Sequence, residues 1–169
     1  GYFFDFADIK QGEVVLDLGS GSGMDSFLAA LKVGENGKVI GIDMTKEQLE
    51  KASKLKEKSF PQIKFVEGVI ESLPFENESF DIIISNGVIN LSAEKEKVFQ
   101  EIYRVLKKGG RIAISDIVTE KQLTDNIVCD VTVWASCIGG AAQEDTYKKF
   151  IENTEMKVFK IKEHPEYRF

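Results

Sequence analysis

The run Val14-Val15-Leu16-Asp17-Leu18 passes directly into Gly19-Ser20-Gly21-Ser22-Gly23, just before the stretch Phe27-Leu28-Ala29-Ala30-Leu31. This order leaves few folds open. The apolar, partly β-branched run predicts a buried strand, and the alanine- and leucine-rich stretch predicts a helix. The closely spaced glycines between them predict a tight turn with left-handed dihedrals, whose bare backbone lets N–H groups approach a ligand closely. Spacing then separates two ligand classes. A dinucleotide fingerprint, G-x-G-x-x-G, counted from Gly19 and Gly21, needs its third glycine at position 24, where the chain has Met24. Here the third glycine, Gly23, comes one residue early.

Beyond the turn, strand-like and helix-like segments alternate. Apolar runs predict strands over 14–18, 38–43, 63–67, 80–85, 111–117 and 156–162, with amphipathic helices over 46–58 and 92–108 among the segments between. Leu49, Ala52 and Leu55 mark one face of the first of these helices, and Thr45-x-x-Gln48 reads as its capping box. The second carries Val98, Phe99, Ile102, Val105 and Leu106 at helical spacing and runs out into Lys107-Lys108-Gly109-Gly110. The expectation is an α/β, doubly wound, Rossmann-like and mostly parallel sheet with helices on both faces. In such a sheet ligands bind beyond the carboxyl ends of the strands, and the motifs of this chain follow strands.

Charge and composition narrow the function. With 22 basic against 28 acidic residues and a net charge of −6, the chain is a poor match for a phosphate backbone, so no nucleic-acid partner is expected. No apolar run is long enough for a membrane-spanning helix, and Gly1-Tyr2-Phe3-Phe4-Asp5 does not read as a secretory signal. Two cysteines, Cys129 and Cys137, are too few for a disulfide framework, which fits a reduced, cytoplasmic protein. The single histidine, His164, argues against a histidine base and against a resident metal cluster.

Asp17–Gly23, Val39-Ile40-Gly41-Ile42-Asp43-Met44-Thr45, Ile84-Ser85-Asn86-Gly87-Val88-Ile89-Asn90-Leu91-Ser92 and Cys137-Ile138-Gly139-Gly140-Ala141 together resemble the arsenite methyltransferases, within the class I S-adenosylmethionine-dependent methyltransferases. The resemblance runs from about Gly12 to Phe150. It implies S-adenosylmethionine as cofactor, with Asp17, Gly19, Ser20, Gly21 and Gly23 forming the turn around its methionyl end. Asp43 would accept the ribose hydroxyls, with Met44 beside the adenine. Val69, Ile70 and Glu71 would meet the adenine edge, and Asn86 and Val88 would pass beneath the methionyl part. It also implies one domain over 1–169, cut short at both ends, whose closing antiparallel hairpin is incomplete.

The same resemblance assigns Cys137 as the catalytic thiol that holds trivalent arsenic, a soft ligand for a soft centre. The chain departs from the family's pattern at Ser26 and Gly87, where many members carry cysteine. Cys129 and Cys137 stand about 80° apart around an ideal helix and two turns along it, so they cannot clasp one ion unless the helix breaks between them. A buried structural role for Cys137 stays open, as does a packing role for Trp134. The reading is therefore methyl transfer to a small molecule, with arsenite or its thiol conjugate favoured. Two alternatives are an organic acceptor such as a quinone precursor and a non-catalytic cofactor- or metalloid-binding protein. A nicotinamide-dinucleotide module is disfavoured by Met24. Oligomeric state is not legible.

Overall fold

A computed structural model of the chain describes residues 3–56, 59–119, 138 and 140–163. Among these, five strands form one parallel sheet: β1 (Val14–Leu18), β2 (Lys38–Asp43), β3 (Ile63–Glu67), β4 (Phe80–Asn86) and β5 (Leu106–Ser115). Their order is β3-β2-β1-β4-β5, so the winding reverses between β1 and β4. Register places Leu18 beside both Ile42 and Ser85, which brings the carboxyl ends of β1, β2 and β4 to one edge. The loops that carry the motifs leave from that edge.

Alternate residues of the central strands feed opposite cores, as a strand buried on both faces requires. Leu16, Leu18 and Ile83 pack with Val98, Phe99, Ile102 and Val105 of helix α4 (Lys95–Val105) and with Tyr147 of helix α5 (Glu144–Glu152). Val15, Ile82 and Ile84 pack with Ala29, Ala30 and Val33 of helix α2 (Met24–Val33) and with Phe4 and Ala7 of the short helix α1 (Phe4–Ala7). Helix α3 (Lys46–Lys56) lies on β2 and β3 and buries Leu49 and Ala52, whereas Leu55 is 60% exposed. The predicted third member of that apolar face thus points to solvent. Among the described residues no helix is long and apolar enough to cross a membrane.

Three further expectations differ from the structure. The fourth helix ends at Val105, and its terminal carbonyls are taken by the loop before β4, with Glu78 N–H donating to Arg104 at 3.0 Å and Ser79 N–H to Val105 at 2.8 Å. Leu106 is already extended, and 107–110 bulge out between the pairs Phe80–Leu106 and Ile82–Arg111. Lys107 therefore serves no helix terminus but pairs with Asp81 at 2.8 Å. Residues 156–163 form no strand. Finally, α1 lies in a stretch with no predicted element. Arg111 of β5 ties it down by donating to the Ala7 and Asp8 carbonyls and gripping Glu13 with both ends of its guanidinium, each at 2.8 Å.

Candidate functional site

The glycine turn joins the end of β1 to the start of α2. Gly19, Gly21 and Gly23 all adopt positive φ, the backbone the sequence spacing calls for. At Gly19 a second constraint applies, because a Cβ there would meet Val88 Cγ2 at 2.4 Å. Val88, in the loop after β4, thus packs directly on bare backbone. Ser20 N–H donates to the Ile42 carbonyl at 2.9 Å and Gly23 N–H to the Ser20 carbonyl at 2.8 Å, pinning the turn against β2. The Ser20 hydroxyl is buried and has no partner among the described residues.

Asp43, at the end of β2, faces the turn. Its Oδ2 accepts the Gly21 N–H at 2.9 Å and its Oδ1 accepts the Thr45 N–H at 2.8 Å. Each carboxylate oxygen has room for more than one hydrogen bond, so Asp43 keeps acceptor capacity for two hydroxyl donors. Met44 beside it is 73% exposed, available to lie against a flat ligand. Val69 is 43% exposed and bridges to Ser72, while Ile70 is buried in the core of the α4 face. Glu71 accepts from the Ser92 hydroxyl through Oε1, which ties the loop after β3 to the loop after β4.

Asp17 is buried beneath the turn, and its Oδ2 accepts the Ser26 hydroxyl at 2.6 Å. Burial pushes its carboxyl up from 3.8 to about 7; the Ser26 bond opposes this, and the charges of Asp25 and Asp43 add to it. Asp25 in turn accepts from the Asn86 side-chain amide at 2.9 Å. The resemblance set Asn86 beneath the methionyl part of the cofactor, and in the structure its side chain is bonded to α2. It gave Asp25 no role and Ser26 none beyond a departure from the family's cysteine; helical spacing after Gly23 is the signal that would place them at the turn.

The turn is therefore surrounded by three carboxylates, Asp17, Asp25 and Asp43. Those that are ionised repel a pyrophosphate and favour a cation, and a bound cation in turn favours ionised Asp17. A ligand that carries adenosine hydroxyls at one end and a positive sulfur and ammonium at the other fits both the acceptors and the charge. Cys129, Cys137 and Trp134 lie outside the described residues. Positions 26 and 87 are described and carry no thiol: Ser26 is 0% exposed and bonded to Asp17, and Gly87 has φ of 73° with its N–H on the Ser115 carbonyl at 2.8 Å.

A family model described as a methyltransferase domain matches residues 9–155. The chain belongs to the methyltransferase-domain family. This methyltransferase domain is 43% identical over 157 residues to an arsenite methyltransferase of Halobacterium salinarum, a match covering 92% of this chain and 40% of the relative. It is 44% identical over 137 residues to the arsenite methyltransferase of Homo sapiens, covering 75% and 36%. Among solved structures, an arsenic(III) S-adenosylmethionine methyltransferase from Chlamydomonas reinhardtii superposes with a TM-score of 0.79 at 38% identity, over 88% of this chain and 52% of that one. The methyltransferase domain thus spans about two-fifths of the length of these curated relatives. The fold matches the expected Rossmann-like class, with its switch point beside the glycine turn.

Proposed function

We propose that this chain is the cofactor-binding domain of an S-adenosylmethionine-dependent methyltransferase whose acceptor is trivalent arsenic, free or as a thiol conjugate. The observation that carries the first half is the glycine turn lined by Asp17, Asp25 and Asp43. The 43% identity to an arsenite methyltransferase supports the second.

When bound, the cofactor supplies a methyl group on a positively charged sulfur. The roles of this chain's residues follow from what surrounds that charge. Asp43 accepts the two ribose hydroxyls while still holding Gly21 and Thr45, so the turn and the sugar share one carboxylate. Met44 and Val69 offer exposed apolar surface to the adenine, and the Ile70 backbone and Glu71 read its edge. Gly19, Ser20, Gly21 and Gly23 let the methionyl end lie on backbone, with Val88 as the floor and Asn86 holding Asp25 in place. Asp17 balances the ammonium once it is ionised. Cys137 is the proposed thiolate for arsenic. An arsenic(III) lone pair carries no proton, so the acceptor needs no general base, and the protein's contribution is alignment.

Two measurements test the proposal. Calorimetry should show S-adenosylmethionine binding to this chain; absence of heat and of any thermal shift removes the cofactor reading. Chromatographic detection of methylated arsenic from glutathione-bound arsenite should then be lost in Cys137→Ser while cofactor affinity stays within about twofold, because the thiol is assigned to the acceptor alone. Full turnover by that variant, or turnover of an organic acceptor instead, would discard arsenic.

A further inference from the structure

Val88-Ile89-Asn90-Leu91-Ser92 is a distinctive run in this sequence, yet the cofactor roles proposed above leave Asn90 unexplained. Asn90 is fully buried in the 3-10 turn Ile89–Leu91 that follows β4. Its Nδ2 donates to Asp116 Oδ1 at 2.7 Å and to the Ile117 carbonyl at 2.6 Å, and its backbone N–H donates to Asp116 Oδ2 at 3.2 Å. With acceptors on both sides of Nδ2, the amide has one orientation, and an aspartate in its place would set oxygen against oxygen. Asp116 also accepts the Ile117 N–H at 3.0 Å and the Tyr147 hydroxyl of α5 at 3.2 Å. From the other side, Lys95 Nζ donates to the carbonyls of Asn90 at 3.2 Å and Ser92 at 2.7 Å. A half-buried carboxylate with this many donors is a rigid anchor.

What the anchor holds is the loop over the glycine turn. Two residues before Asn90, Val88 lies against Gly19, and Asn86 bonds to Asp25 in the first turn of α2. Asp116 itself lies just past β5, so the chain leaving that strand is tied through one loop to the turn after β1. We infer that Asp116 is a positioning residue: acting through Asn90, it holds residues 86–91 against the glycine turn and so shapes the place where the donor is proposed to bind. The functional half of this inference rests on the methyltransferase reading, whereas the mechanical half concerns the chain alone.

Asp116→Asn puts an NH2 group among donors, Asn90→Ala removes the same arm from its other end, and Tyr147→Phe removes only the bond from α5. In amide spectra of the ligand-free chain, the Gly19 and Val88 resonances should move in the first two variants and stay in place in Tyr147→Phe. Calorimetry with S-adenosylhomocysteine should show binding about tenfold weaker in the first two and within twofold of the parent in Tyr147→Phe, although that variant also loses thermal stability. The double variant Asp116→Asn/Asn90→Ala should bind no more weakly than Asn90→Ala, because the two residues form one arm. If Asp116→Asn does not fold, Asn90→Ala carries the same comparison. Unmoved Gly19 and Val88 resonances overturn the inference by themselves, as does weakened binding that tracks thermal loss equally in all the variants. Failure of the parent chain to bind S-adenosylhomocysteine overturns the methyltransferase reading instead, and the spectra separate the two failures.

Discussion

Asp17 sits where burial and two neighbouring carboxylates act in the same direction. Its pKa is about 7 in the folded chain against an ordinary 3.8, so between roughly pH 4 and 7 the native state holds a proton that the unfolded state has lost. Native stability contributed by this group therefore falls as pH rises through that window and levels off above it. Asp116, also raised by burial, adds in the same sense. Thermal melts of the ligand-free chain should decline from about pH 5 to pH 7, and Asp17→Asn should remove part of that decline; an unchanged slope would deny Asp17 its raised pKa. At Asp43 the expectation concerns affinity. Asp43→Ala takes away the ribose acceptor and the partner of Gly21, so binding of S-adenosylmethionine should weaken by about 1.5–3 kcal/mol, read by calorimetry. The position of both acids at the turn was legible, since strand, glycine spacing and strand end are local patterns. That Asp17 is bonded to Ser26, and Asn86 to Asp25, was not, because those pairs are set by how α2 docks on the sheet.

At the level of elements, α4 is the clearest case of pattern deciding structure. Val98, Phe99, Ile102 and Val105 recur at helical spacing, and all are fully buried against β1 and β4. Ile102→Ala should cost about 2–5 kcal/mol, measured by urea unfolding, because methylenes are lost and the site cannot collapse between strand and helix. Where this helix stops is a different matter. Leu106 and Lys107 have the residue types to continue it, and Gly109 suggests a later end. The termination comes from Glu78 and Ser79, whose N–H groups take the last carbonyls, and from Asp81, which draws Lys107 into the sheet. Similarly Leu55 has the apolarity of a core residue, but α3 covers only β2 and the edge strand β3 and leaves it in solvent.

Across the whole molecule, opposite pH effects meet. Glu13, held by Arg111, and Glu101, held by Arg104, have pKa values below the ordinary carboxylate range, so their contributions are present above it and fade as acid protonates them. Together with the decline set by Asp17, this predicts that melting temperature plotted against pH for the ligand-free chain peaks on the mildly acidic side of neutrality. A saturating cofactor adds stability by mass action: at about 100 times its Kd it should contribute ~2.7 kcal/mol and raise the melting temperature by about 5–10 °C in scanning fluorimetry. No shift at that concentration would reject the binding site. The sequence by itself determined the sheet class, the glycine turn and the acid that faces it, because strand alternation, left-handed turns and helix periodicity are written in neighbouring residues. Tertiary structure alone decided which side chains close on one another at that turn. Val88 meeting Gly19, Asn86 holding Asp25 and Asp116 holding Asn90 join residues far apart in the chain, and the order and register of the strands bring them together.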